Sequence, residues 1–142
     1  MAAALILCLV FGSIHAYGVL LVPIEEWLSA SRVITSLGYS LAIVALTIGV
    51  PVFAILSRRI QPTSVALICG SLAIFGLSLA AFGGRTITLL VGYGLAFGLG
   101  NGIAYSLSLQ EAARSSPSAS AWAMGLATAA YGAGSVIAAQ VF

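Results

Sequence analysis

The sequence predicts an all-α membrane protein, a single domain built as a bundle of five transmembrane helices. Composition is the first reason: 61% of the 142 residues are hydrophobic and 6% are charged, where a soluble domain carries roughly 25% charged residues. Too little polar side chain exists to cover a globule of this length. The second reason is the spacing of the charges. Glu25, Glu26 and Arg32, then Arg58 and Arg59, then Arg85, then Glu111 and Arg114 leave uncharged intervals at 1–24, 33–57, 60–84, 86–110 and 115–142. Each exceeds the ~20 residues that a helix needs to cross ~30 Å of hydrocarbon. The third is a glycine-dense, uncharged run from Gly92 to Tyr105.

The first helix is expected over about 1–22, stopped by Pro23, with Glu25, Glu26 and Trp27 forming a rim at the membrane surface. A cleaved signal peptide is a poor reading, because no positive residue precedes the apolar core and Ile14 occupies a position where cleavage wants a small residue. The second helix is expected over 33–57, opened by Ser31 as a cap and kinked at Pro51. Pro62, at home in a first turn, opens the third at 62–83. Gly83-Gly84-Arg85 is so short a link that the third and fourth helices must be antiparallel neighbours. The fourth is expected over 86–109, and a polar stretch from Gln110 to Ser120, broken by Pro117, leads to the fifth over 119–142.

Loop arginines divide three against two. Arg58, Arg59 and Arg114 share one side, and Arg32 and Arg85 share the other. The bias favours a cytoplasmic N-terminus of a multi-pass protein in the cell's inner (plasma) membrane. A net charge of +2 with dispersed arginines gives no footprint for nucleic acid. Two cysteines and one histidine make no metal-ligand spacing, and Cys8 and Cys69 read as small apolar residues inside spans. No metal or cofactor is expected. Nor is an enzyme: the only acids, Glu25, Glu26 and Glu111, sit between spans, and a catalytic triad has nothing to assemble from.

The glycine run does not fit a phosphate loop. Starting from Gly92, Gly98 or Gly100, the sixth position of the dinucleotide fingerprint falls on Phe97, Ile103 or Tyr105, and the chain has no lysine for a Walker loop. On a helix, Gly94, Gly98, Asn101, Gly102, Tyr105 and Ser108 share one side. Small residues four apart let a second helix backbone come close, so Gly94, Gly98 and Gly102 are expected at a helix contact. Gly125 and Gly132, with Ala121 and Thr128, repeat the pattern in the fifth helix. In the second, Ser36, Ser40 and Thr47 form a small polar stripe, read as a contact or a cavity edge. The third helix spreads its bulky side chains around its circumference and is expected to be the most lipid-exposed.

Tyr17-Gly18-Val19, Pro23, Glu26-Trp27, Ser31-Arg32, Ser36, Ser40 and Pro51 resemble the first two helices of major facilitator superfamily transporters, in the oxalate/formate-antiporter and monocarboxylate-transporter-like branch. The Gly92–Tyr105 run resembles that branch's fourth helix, and Met124-Gly-Leu-Ala-Thr128 with Tyr131-Gly-Ala-Gly134 the start of its fifth. The loop after the second helix departs from the family pattern G-x-L-x-D-R-x-G-R: Leu56 and Arg59 remain, while Arg58 stands in place of the acid and Gln61 in place of the second glycine. The resemblance implies most of the N-terminal half of a twelve-helix fold, a fragment whose partner is the missing C-terminal half.

The function this resemblance implies is transport of a small solute, a monocarboxylate or other organic anion, by alternating access. A non-transporting five-helix assembly or sensor module is the alternative. His15, the only side chain inside a span that changes charge near neutral pH, should face a cavity or a partner and is a substrate-contact candidate. Asn101 is a candidate for the cavity lining or for a bond between helices. The resemblance implies that Tyr17, Tyr105 and Tyr131 line the substrate cavity, with packing between helices as the alternative, and that Arg59 belongs to a gating loop, with a topology anchor as its simpler reading. The expected partners are therefore the lipid bilayer, a small-molecule substrate and the second half.

Overall fold

The computed structural model describes residues 1–141, and the described residues are almost wholly helical. Among them, five helices are long and apolar enough to cross a membrane: α1 (Ala2–Leu28), α2 (Arg32–Leu56), α3 (Pro62–Phe82), α4 (Thr86–Ser115) and α5 (Pro117–Val141). Boundaries differ from expectation in two places. Pro23 lies inside α1 rather than ending it, whereas Pro51 lies inside α2 as expected. A proline removes one backbone bond, which membrane helices tolerate where neighbours compensate. The polar stretch after the glycine run is mostly helix, since α4 continues to Ser115 and Pro117 opens the next turn. Residue 142, the expected last residue of the fifth helix, lies outside the described residues.

The turns are tight. Ser29, in a left-handed conformation (φ 48), closes α1 by donating its amide to the Glu26 carbonyl, and Gly84 (φ 60) makes the turn before α4. Thr88 and Arg85 exchange hydrogen bonds there, Thr88 Oγ1 donating to the Arg85 carbonyl at 2.6 Å. Ser31 caps α2 with its backbone carbonyl rather than its side chain, accepting from Ile34 and Thr35.

α4 is the hub. It packs against α1, α2, α3 and α5, and α2 and α3 each pack on it rather than on each other. In its most apolar stretch 61% is buried, against 22–33% in the other four helices. The expectation that α3 would be the most lipid-exposed is corrected here: α2, α3 and α5 share the same 22%, because each uses only one side for contact.

Missing side chains create the hub. A methyl placed on Gly98 would sit 2.6 Å from the Ala42 carbonyl oxygen of α2, and one on Gly49 would sit 2.7 Å from the Leu99 carbonyl. Gly102 lies against the Leu46 carbonyl and Gly94 against the Leu41 side chain. On the α3 side Gly92 and Gly76 meet backbone to backbone. The α1–α5 contact is built the same way, with Gly12 against the Tyr131 carbonyl and Gly134 against that of Leu9. Such approach is how helices associate where lipid offers no hydrophobic drive.

Gly125 and Gly132 behave differently. Both are exposed, and a methyl on either would meet nothing within 4 Å. The packed side of α5 runs through Ala123, Ala127, Tyr131 and Gly134 instead, because Gly134 packs against the Leu9 carbonyl and Tyr131 bonds to Asn101. The Ser36–Thr47 stripe of α2 is likewise turned outward: Ser40 and Thr47 are exposed and bond to the Ser36 and Ile43 carbonyls of their own helix.

Gly98→Val should therefore destabilise the protein in detergent micelles by at least the ~1–3 kcal/mol typical of overpacking, since the atom opposite is backbone and cannot rotate away. Gly125→Val should change stability by less than about 0.5 kcal/mol. Equal melting shifts for the two variants would contradict this packing.

Candidate functional site

Two of the central helices leave regular α geometry at facing positions. Gly12–Ala16 of α1 is a 3-10 turn, and Leu90–Phe97 of α4 is a π-helix. Both forms bond less well than an α-helix and recur at hinges and functional sites. Here side chains supply what the backbone geometry weakens. Asn101 Nδ2 donates to the Phe11 carbonyl at 2.6 Å, and the Tyr93 hydroxyl donates to the Ile14 carbonyl at 2.8 Å. The Tyr131 hydroxyl then donates to Asn101 Oδ1 at 2.7 Å. Asn101, fully buried, ties α1, α4 and α5 together.

The glycine run is thus not one contact side but several. Gly94, Gly98 and Gly102 face α2, Asn101 reaches α1 and α5, and Tyr105 leans on α5. A helix packed against four neighbours makes contact on several sides, which a single-stripe reading cannot anticipate.

All five tyrosines and the single histidine of the sequence form one aromatic string. Tyr105 lies 4.8 Å from Tyr131 between ring centres, and Tyr131 lies 5.5 Å from the edge-on ring of His15. His15 Nδ1 is 2.9 Å from the Tyr39 hydroxyl. Tyr39 stacks on Tyr17 at 5.8 Å, and Tyr17 meets the tilted ring of Tyr93 at 4.7 Å. Tyr17 donates its hydroxyl to the Thr35 carbonyl at 2.8 Å. Thr35 Oγ1 in turn reaches Glu25 at 3.3 Å, beside the Glu25–Arg32 ion pair at the membrane rim.

These placements sort the expected site residues. His15 is exposed, and half-buried Tyr105 places its hydroxyl 3.3 Å from exposed Thr128 Oγ1. Tyr17, Asn101 and Tyr131 are inside the bundle, at 3%, 0% and 9% exposure, each with its polar atom bonded to another helix or to Asn101. Arg59 lies exposed in the α2–α3 turn, with no ion pair among the described residues. Sequence reading missed Tyr39 and Tyr93. The signal was available for Tyr39, which stands next to Ser40 and one residue beyond Gly38 in an otherwise aliphatic span.

The open side of α1, α2, α4 and α5 therefore carries His15, Tyr39, Ser40, Tyr105 and Thr128, with the Tyr131 ring joining the two halves of the group. Between α1 and α2 this side sinks into a cleft of about 270 Å³ lined by His15, Tyr17, Ser36, Tyr39 and Ser40. Among the described residues no group of acids, cysteines and histidine can hold a metal ion. Comparison with protein-family models, curated proteins and solved structures gives no match.

A double-mutant cycle on Asn101→Ala and Tyr131→Phe should return a coupling of about 0.6 kcal/mol or more, up to about 1.7, the average and the maximum for hydrogen bonds between membrane helices. Asn101→Ala should be the costlier single change because it removes the bond to the Phe11 carbonyl as well as the one from Tyr131. Additive single effects in denaturant unfolding would exclude the bond.

Proposed function

We propose that this chain is one wall of a secondary transporter that moves a small solute across the membrane by alternating access, as in the major facilitator superfamily its helices resemble. What supports the reading is the polar group on the open side of four spans: His15, Tyr39, Ser40, Tyr105 and Thr128. Polar side chains at this depth are costly against hydrocarbon and belong on a bundle interior or a water-filled cavity. Aromatic walls with a few hydroxyls suit a small organic solute. A second helical unit facing this side would close the cavity, and the two would rock around a site near the midplane.

The resemblance suggests an organic anion such as a monocarboxylate. All five arginines of this chain stand at the ends of spans or between them. A cation that pairs with a carboxylate at mid-depth therefore belongs to the facing unit.

The test is water access in the membrane-inserted protein. Ser40→Cys and Thr128→Cys should react with a membrane-impermeant thiol reagent, and a carried solute should protect them saturably. Ile74→Cys and Phe75→Cys, on the exposed apolar side of α3, should stay unreactive. The parent protein is the blank, since Cys8 and Cys69 are buried. If positions 40 and 128 are as inert as 74 and 75, the transport reading falls.

A further inference from the structure

We propose that the α1–α2 cleft is a binding subsite for an uncharged oxygen acceptor, the carbonyl or hydroxyl of a small neutral group, received by the Nε2–H of His15. The inference rests on reading this side as the wall of a solute cavity, and it adds which part of a solute sits here and what holds it.

The hydrogen bond between Tyr39 and His15 sets the donor. The Tyr39 oxygen and Nδ1 are 2.9 Å apart, and we assign the phenol as the donor, since a phenol O–H is the stronger donor of the two and an imidazole nitrogen the stronger acceptor. With Nδ1 accepting, the neutral ring carries its proton on Nε2. Nε2 has no protein partner among the described residues, and the ring borders the cleft. Tyr39 is thus a positioning residue, itself held by stacking on Tyr17 with the rings 15° from parallel. Tyr17 is fixed by its bond to the Thr35 carbonyl. The cleft therefore presents a fixed N–H donor beside two aromatic rings.

Charge decides the class of ligand. Among the described residues, no carboxylate and no guanidinium lines the cleft. The rings against His15 are Tyr39 from α2 and Tyr131 from α5, and Tyr17 of its own helix lines the same cleft; none of them is a carboxylate or a guanidinium. The charged pair closest along α1 and α2, Glu25 and Arg32, is bonded to itself at 3.0 Å. A carboxylate seated against neutral imidazole would give up its hydration for a single hydrogen bond, which is far costlier than seating a neutral carbonyl. A cavity of about 270 Å³ also limits the occupant to a small group.

Nitrogen-15 NMR of the full chain in lipid nanodiscs tests this directly, because the sequence has one histidine and its signals need no assignment. At a pH above the imidazole range, the free protein should show the Nε2–H tautomer. Propanamide should shift the Nε2 signal saturably, and propanoate, its charged isostere, should bind weaker by about tenfold or more. Tyr39→Phe should release the ring into both neutral tautomers and weaken propanamide binding. The tautomer of the unmodified protein stands as a readout even if that variant does not fold. An Nδ1–H tautomer, a signal indifferent to propanamide, or propanoate binding as tightly as propanamide would each overturn the proposal. Should Ser40→Cys and Thr128→Cys be sealed from water, the transporter reading itself fails. A water-reachable cleft that ignores propanamide removes only this inference.

Discussion

Everything in this fold depends on how closely α4 lets other backbones approach. Lipid tails are as apolar as leucine, so these helices gain nothing from hiding apolar surface from one another. What remains is contact, and contact between backbones requires that side chains be absent. Gly98 and Gly102 admit α2, and Gly92 admits α3 through Gly76. The same device joins α1 to α5 at Gly12 and Gly134. Large apolar side chains, including Ile74, Phe75 and Val136, then face outward, the reverse of a soluble core and the correct arrangement for a bilayer.

Close packing alone would leave the polar groups of the irregular turns poorly bonded. The 3-10 turn of α1 and the π-helix of α4 are stitched across the interface by Asn101 and Tyr93. Among the described residues, no buried side-chain nitrogen or oxygen lacks a partner. Each of these two bonds runs from a side chain of one helix to a backbone carbonyl of another, so it fixes both rotation and depth. The aromatic string built on them carries position from the buried Asn101–Tyr131 pair outward to His15 and Tyr39. The same residues that lock the core thereby orient the open side.

The spans were legible because charge in hydrocarbon is expensive, and five arginines and three acids marked the boundaries of the uncharged intervals. The glycines of the fourth helix were legible for a related reason: nothing but close packing explains Gly94, Gly98 and Gly102 together. The direction each helix presents was not. Gly125 and Gly132 have a spacing that reads as packing yet lie open, because the packed side of α5 runs through Ala123, Ala127, Tyr131 and Gly134, with Gly134 against the Leu9 carbonyl and Tyr131 bonded to Asn101. Tyr17 and Tyr131, expected at the cavity or in helix packing, both bond inward, Tyr17 to the Thr35 carbonyl while it lines the α1–α2 cleft and Tyr131 to Asn101, partners that no periodicity encodes. Tyr93 escaped notice because it owes its place to a partner 79 residues away, whereas Tyr39 carried a local signal beside Gly38 and Ser40. Pro23 read as a stop, yet the first helix continues through it to Leu28.

The central claim is that α4 is the hub, in backbone contact with α2 on one side and α3 on another. Solid-state NMR of the isotopically labelled chain in lipid bilayers measures this most directly. Through-space cross-peaks should join Gly98 to Ala42, and Gly92 to Gly76. Spectra in which Gly92 and Gly98 contact only their own helix and lipid would contradict the account.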